Sequence, residues 1–198
     1  MFVRTLLCAL LVFVFHINLS SQEDMDREWS VGISGLFGQT SGPNFSASGA
    51  GIAVNRQLSL TQKSMLRLHL MGADLRGASY LVTDIQGNTI GKGRQAFLKS
   101  QFNTLYQQRF LTLDDAAIYV ALGPGISYIY ENTFEEINNE EFEGPDYRVF
   151  AFNALFEIGV ELPQFIFSTS LSQSIYNDDS PVLDANNLYI ALSAGYRL

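Results

Sequence analysis

The chain has 198 residues, enough for one domain with a full core, and its 20 acids against 12 bases give a net charge of −8 that argues against a nucleic-acid partner. One cysteine, Cys8, excludes a disulfide within the chain.

The first element in chain order is a leader. In MFVRTLLCALLVFVFHINLSSQ a short front with one cation, Arg4, precedes an apolar stretch from about Leu6 to Ile17 and then small polar residues. That layout predicts a secretory signal peptide over residues 1–21, since the apolar stretch is well short of the roughly 20 residues that span a bilayer as a helix. Cys8 sits near the start of the stretch, where lipid anchoring is not expected. Without the leader the chain keeps 11 bases and 20 acids, a net charge of about −9, with no thiol and His69 as its one imidazole. A His/Cys zinc cluster is thereby excluded.

Residues 22–198 read as a single all-β domain with almost no helical periodicity. Strands are predicted at about 29–38, 46–60, 64–77, 94–110, 116–131, 146–162, 164–177 and 187–198. Several exceed the five or six residues usual in soluble sheets. In the first, Trp29, Val31, Ile33 and Phe37 alternate with Ser30, Gly32 and Ser34; in the fourth, Leu98, Phe102, Tyr106 and Phe110 alternate with Lys99, Gln101, Asn103, Gln107 and Arg109. The sixth is the clearest. One face carries Phe150, Phe152, Ala154, Phe156, Ile158, Val160 and Leu162, and the other Val149, Ala151, Asn153, Leu155, Glu157, Gly159 and Glu161. A bulky apolar face kept apart from a face of small and polar residues suits a barrel whose exterior touches lipid and whose narrow interior is filled by small and polar side chains.

Connection lengths point the same way. Those after the second, fourth and sixth strands are short, whereas ASYLVTDIQGNTIGKG, ENTFEEINNEEFEGP, NDDSPVLDANN and GQTSGPNF follow the odd-numbered ones. All long loops therefore emerge at one rim and all tight turns at the other, an asymmetry of outer-membrane barrels, whose turns are periplasmic.

The last strand, NLYIALSAGYRL, alternates Leu188, Ile190, Leu192, Ala194 and Tyr196 with Tyr189, Ala191, Ser193, Gly195 and Arg197 up to Leu198. Lipid tolerates such an apolar end but no open sheet edge, so this strand is expected to close against the first. On these residues the chain resembles the small eight-stranded outer-membrane β-barrels of Gram-negative bacteria, including the OmpX-like and PorT-like groups. The resemblance covers about 29–198 and implies an eight-stranded antiparallel up-and-down transmembrane β-barrel. It also implies that Tyr196 and Leu198, an aromatic two residues before a hydrophobic terminus, form a recognition signal for the barrel-insertion machinery. Ser193 stands where that signal often has glycine, and Leu198 where Phe is more typical.

An eight-stranded barrel has an interior just wide enough for its own side chains. Arg67, Lys99, Arg109, Glu157, Glu161 and Arg197 fall on the predicted inner face and are expected to neutralise one another there. No catalytic, cofactor or metal residues are assigned, no cofactor is implied, and the chain is not read as an enzyme. A lipid A deacylase-like activity would need a nucleophile and base near the outer rim, whereas His69 falls mid-strand and inward. A soluble lipocalin-like binder, the other alternative, would need a polar exterior. The segment 131–146 reads as an exposed acidic loop. Glu131, Glu135, Glu136, Glu140, Glu141, Glu143 and Asp146 are interrupted by Phe134, Ile137 and Phe142, and its use is either solvation of the rim or binding of a cation or partner. Expected partners are outer-membrane lipid and lipopolysaccharide, with export through the periplasm to a structural, adhesive or secretion-accessory role.

Overall fold

The computed structural model describes residues 27–40, 45–77, 79–113, 115–137, 140–143, 147–177 and 188–198. The predicted leader, and the connections at 41–44 and 178–187, lie outside the described residues. Among the described residues there are ten strands: β1 (Arg27–Thr40), β2 (Phe45–Ser59), β3 (Ser64–Gly77), β4 (Tyr80–Thr83), β5 (Thr89–Leu113), β6 (Ala116–Ile137), β7 (Glu140–Glu143), β8 (Tyr147–Glu161), β9 (Phe165–Asn177) and β10 (Leu188–Arg197). Eight close into an antiparallel ring in the order β5-β3-β2-β1-β10-β9-β8-β6, completed by pairing of β5 with β6, while β4 and β7 flank the ring strands β5 and β6. Closure of the last strand on the first runs from Ser30↔Arg197 to Gln39↔Leu188 and ends with the Leu198 N–H donating to the Trp29 carbonyl at 2.9 Å.

The ring is staggered. Followed from Lys99 through Ala73, Ser34, Ser168 and Tyr119, the paired residues return to β5 at Arg109, ten residues further along. Such a shear in eight strands goes with a tilt of roughly 35–45° and a tube narrow enough for side chains to fill. At the lower rim the turns are tight: Thr61 Oγ1 accepts from the backbone N–H groups of Lys63 (3.2 Å) and Ser64 (3.0 Å), and Leu162 N–H reaches the Phe165 carbonyl at 2.8 Å.

At the upper rim the connections expected at 78–93 and 131–146 are largely strand instead. Pairing of β5 with β6 continues upward from Phe97↔Glu131 to Gly91↔Ile137, and β4 and β7 add to its two edges. Acids and glycines have poor β-propensity, which is why the segment read as loop; a ladder already nucleated by the ring extends at little cost and satisfies backbone groups that would otherwise need water. The β4–β5 turn is held by Asp84, whose Oδ1 accepts from Gln86 N–H (2.8 Å) and Asn88 N–H (2.9 Å), with Gly87 at φ 86°. Hydrogen bonds from Asn88, first from its side chain, hold the Asp84 carboxyl below the ordinary carboxylate range.

The wall follows the alternation predicted for β1, β5, β8 and β10. Phe156 is 45 % exposed and Phe150 65 %, whereas Leu155 between them in phase is 2 % exposed. An exterior of this kind contradicts the soluble lipocalin-like alternative. Aromatic rings mark both borders of the apolar belt: Phe165 against Tyr196 (5.6 Å between centroids) and Trp29 beneath Arg56 (5.2 Å) below, Tyr128 against Phe150 (4.9 Å) and Tyr130 beneath Arg148 (5.8 Å) above.

The interior corrects one expectation. It holds large apolar side chains as well as small and polar ones: Leu36, Leu75, Phe97, Ile129 and Val149 cluster in the upper half, and Leu105, Leu155 and Ile166 surround Tyr119 lower down.

Candidate functional site

Five of the six charged residues predicted inside are brought into ion pairs, all in the lower half of the barrel. Glu161, at the end of β8, is a node. Its Oε2 receives Arg109 Nε at 2.7 Å from β5 and lies 3.0 Å from Arg197 Nη2 of β10, while its Oε1 accepts from Gln107 (2.6 Å) and Gln57 (3.4 Å). Arg197 also approaches Glu28 of β1 at 3.6 Å, so one cluster ties both sides of the β1–β10 seam to the opposite wall.

One layer higher, Arg67 Nη2 lies 2.8 Å from Glu157 Oε1, with both side chains buried. The Tyr119 hydroxyl donates to Glu157 and accepts from Arg67. Gly159 makes this arrangement fit: a Cβ there would stand 2.5 Å from the Tyr119 hydroxyl. His69, on the same face of β3 as Arg67, is 7 % exposed, and its Nδ1 is 2.7 Å from Asn55 Oδ1, with Asn55 in turn donating to Ser30 Oγ at 3.3 Å. The imidazole therefore belongs to the plug, below the level of the upper rim.

Lys99 departs from the expected neutralisation. It is 2 % exposed, and its Nζ lies 3.6 Å from the centre of the Tyr189 ring with no carboxylate within ion-pair distance among the described residues. A cation over an aromatic face in a desolvated site is worth about 2 kcal/mol or more, a pairing that parity alone does not reveal. Sequence reasoning placed Tyr189 inside but assigned it no partner.

The acidic segment divides between two faces, because strands alternate. Glu131 is buried in the upper mouth, 1 % exposed, and accepts from Gln95 at 2.9 Å. The register sets Glu135 beside Phe142 on the face that continues the interior, and Glu136 beside Glu141 on the outward face. Tyr80 donates to Glu135 at 2.9 Å, and burial followed by that bond pushes its hydroxyl up to about 12. Asp146 lies outside the described residues. Among the described residues no group of three His, Cys, Asp or Glu side chains is placed to hold a metal ion.

No protein-family model matches the chain, and no curated protein does. Solved structures do. Neisserial surface protein A is 13 % identical, with a TM-score of 0.54 over 89 % of this chain and 99 % of that one. A major outer membrane protein from Thermus thermophilus is 15 % identical, with a TM-score of 0.52 over 87 % and 99 %. At these identities the likeness is one of fold. Joined to the plugged eight-strand ring and its outward apolar belt, it shows the fold: a small eight-stranded up-and-down β-barrel like those of these outer-membrane proteins.

Proposed function

We propose that the chain is an integral outer-membrane barrel without an open pore, exported by the leader at 1–21, whose role is structural, adhesive or accessory to secretion. The observation that carries this reading is the filled interior: buried Arg67, Lys99, Gln101, Leu105, Tyr119 and Leu155 occupy successive levels of the tube. Lipid, lipopolysaccharide and, through Tyr196 and Leu198, the insertion machinery are its partners, and the four-stranded sheet β4-β5-β6-β7 is its display surface outside the cell. The placement of His69 in the plug, bonded to Asn55, weighs against a lipid A deacylase-like enzyme, which needs its base at the outer rim.

Two measurements test it. Refolded protein in planar bilayers should give no steady conductance, and a sustained open channel would replace this reading with a porin-like one. In lipid vesicles Phe156→Arg should cost roughly 2 to 4 kcal/mol of stability, while Ala151→Ser, on the inner face of the same strand, should be close to neutral. Equal damage from both would mean that the wall is not facing lipid.

A further inference from the structure

The outward face of the wall carries an acid within the apolar belt. On β3 the outward row is Leu66, Leu68, Leu70, Gly72, Asp74 and Arg76, and the last two are exposed. Their depth follows from the register: Asp74 pairs with Leu98, and Leu98 with Tyr130, which marks the upper border of the belt. Because the ring is staggered, each strand crossed from β6 towards β3 lowers the paired residue, by roughly 3 Å for strands about 4.8 Å apart and tilted about 40°. Asp74 therefore stands about 6 Å below Tyr130, inside an apolar belt about 25 Å tall. Arg76, two residues further up the strand, stands about 5 Å higher, at the border. Among the described residues Asp74 is the only charged side chain on the outward face between the aromatic borders. A carboxylate at that depth is costly unless it is paired. Yet neither Asp74 nor Arg76 takes part in an ion pair or a side-chain hydrogen bond among the described residues.

The wall around the two charges is low. Ala50 is paired with Asp74, Ser48 with Arg76 and Ser100 with Gly72, so short side chains surround them on β2, β3 and β5, and a groove of about 970 Å³ beside them has Gly35, Ala50, Ile52 and Gly72 in its lining. The opposite wall presents Phe156, Phe167 and Leu171. We propose that the β2–β3–β5 face is the interface of a two-fold dimer of this chain within the membrane, closed by two reciprocal Asp74–Arg76 ion pairs. Charge complementarity selects a second copy as the occupant. Two copies inserted in the same orientation are related by an axis along the membrane normal, which keeps every residue at its own depth. With that axis between positions 74 and 76, the tilt of β3 sets Arg76 of each copy above Asp74 of the other, about 5 Å higher, a gap that an arginine side chain spans. Acyl chains offer Asp74 no donor, and small residues at the contact let two backbones approach closely enough for the pair to form. One patch thus supplies both halves of the bond, as a self-complementary interface requires. The inference rests on the membrane-embedded reading above and adds a partner to it.

The test uses the full chain with Cys8→Ser, refolded into phosphatidylcholine vesicles at a high ratio of lipid to protein, so that an introduced cysteine is its only thiol. Ala96 is paired with Arg76 and lies beside the proposed axis, whereas Thr169 is exposed on β9, the strand opposite β3 in the ring. Oxidation should link Ala96→Cys into a disulfide dimer and leave Thr169→Cys monomeric. Added to Ala96→Cys, either Asp74→Arg or Arg76→Asp should lower the dimer-to-monomer ratio about tenfold or more. Mixing those two variants before refolding should restore it, because each cation again faces an acid. Equal linking at positions 96 and 169 would be random collision and overturns the proposal. Unchanged linking in both charge reversals overturns it too, as does a mixture no more dimeric than its components. Folding is read separately by mobility on unheated gels. If a reversal does not fold, Asp74→Asn and Arg76→Gln replace it, each should lower the ratio, and undiminished linking in both overturns the ion pairs. A folded monomer in every vesicle sinks only this interface, whereas a chain that folds in no detergent or lipid sinks the membrane reading itself.

Discussion

The two halves of the barrel are filled by different physics. In the lower half the strands are joined across the tube by charge: Glu157 with Arg67, and Glu161 with Arg109 and Arg197. In the upper half the filling is mostly apolar, from Leu36, Leu75, Phe97, Ile129 and Val149, with Lys99 laid on Tyr189 and Glu131 held by Gln95. Charge-assisted bonds are directional and fix which strand stands opposite which, but their loss exposes buried charge. Apolar filling is less exacting about partners and depends on volume. The lower cluster also holds the β1–β10 seam, where the last strand meets the first, so specificity of closure and specificity of pairing are supplied by the same residues.

The largest effect is expected from orphaning a charge below. Glu157→Leu leaves Arg67 buried without its carboxylate and should cost about 3 to 5 kcal/mol in urea titrations of vesicle-embedded protein. Adding Arg67→Met should recover most of the loss, because two apolar residues of similar volume replace the pair. A double variant as unstable as the single would show that the layer depends on Tyr119 and its packing and not on the ion pair.

Above, volume decides. Leu75→Ala, at a position with no exposure, should cost about 2 to 5 kcal/mol according to the cavity left behind, and the change should be insensitive to salt. A cost below about 1 kcal/mol, under the lower bound for such truncations, would mean that the upper half collapses around the gap.

The smallest effect belongs to Lys99→Met. Loss of the attraction to Tyr189 is offset by relief from desolvating an ammonium that has no acid beside it, so stability should change by no more than about 1 kcal/mol. A loss of several kcal/mol would point to a carboxylate partner, with Glu131 the nearest candidate in the register.

Much of this was legible in the chain. The eight ring strands, their inward and outward faces, and the rim that carries the long connections all follow from period-two alternation, because lipid outside and a filled tube inside leave each residue one side to choose. His69, Glu157 and Glu161 were placed inward on that ground alone. Periodicity carries no information about partners across the tube, however. Arg67 meeting Glu157, Lys99 meeting Tyr189, and Arg109 and Arg197 converging on Glu161 depend on the shear that sets heights between strands far apart in sequence. Nor did local propensity anticipate β4 and β7, since the acids and glycines of 78–93 and 131–146 favour loops when considered singly. They become strand because the ring presents an unfinished ladder to them. Composition and alternation determined which solvent each face would meet; closure of the ring decided which residues would meet one another.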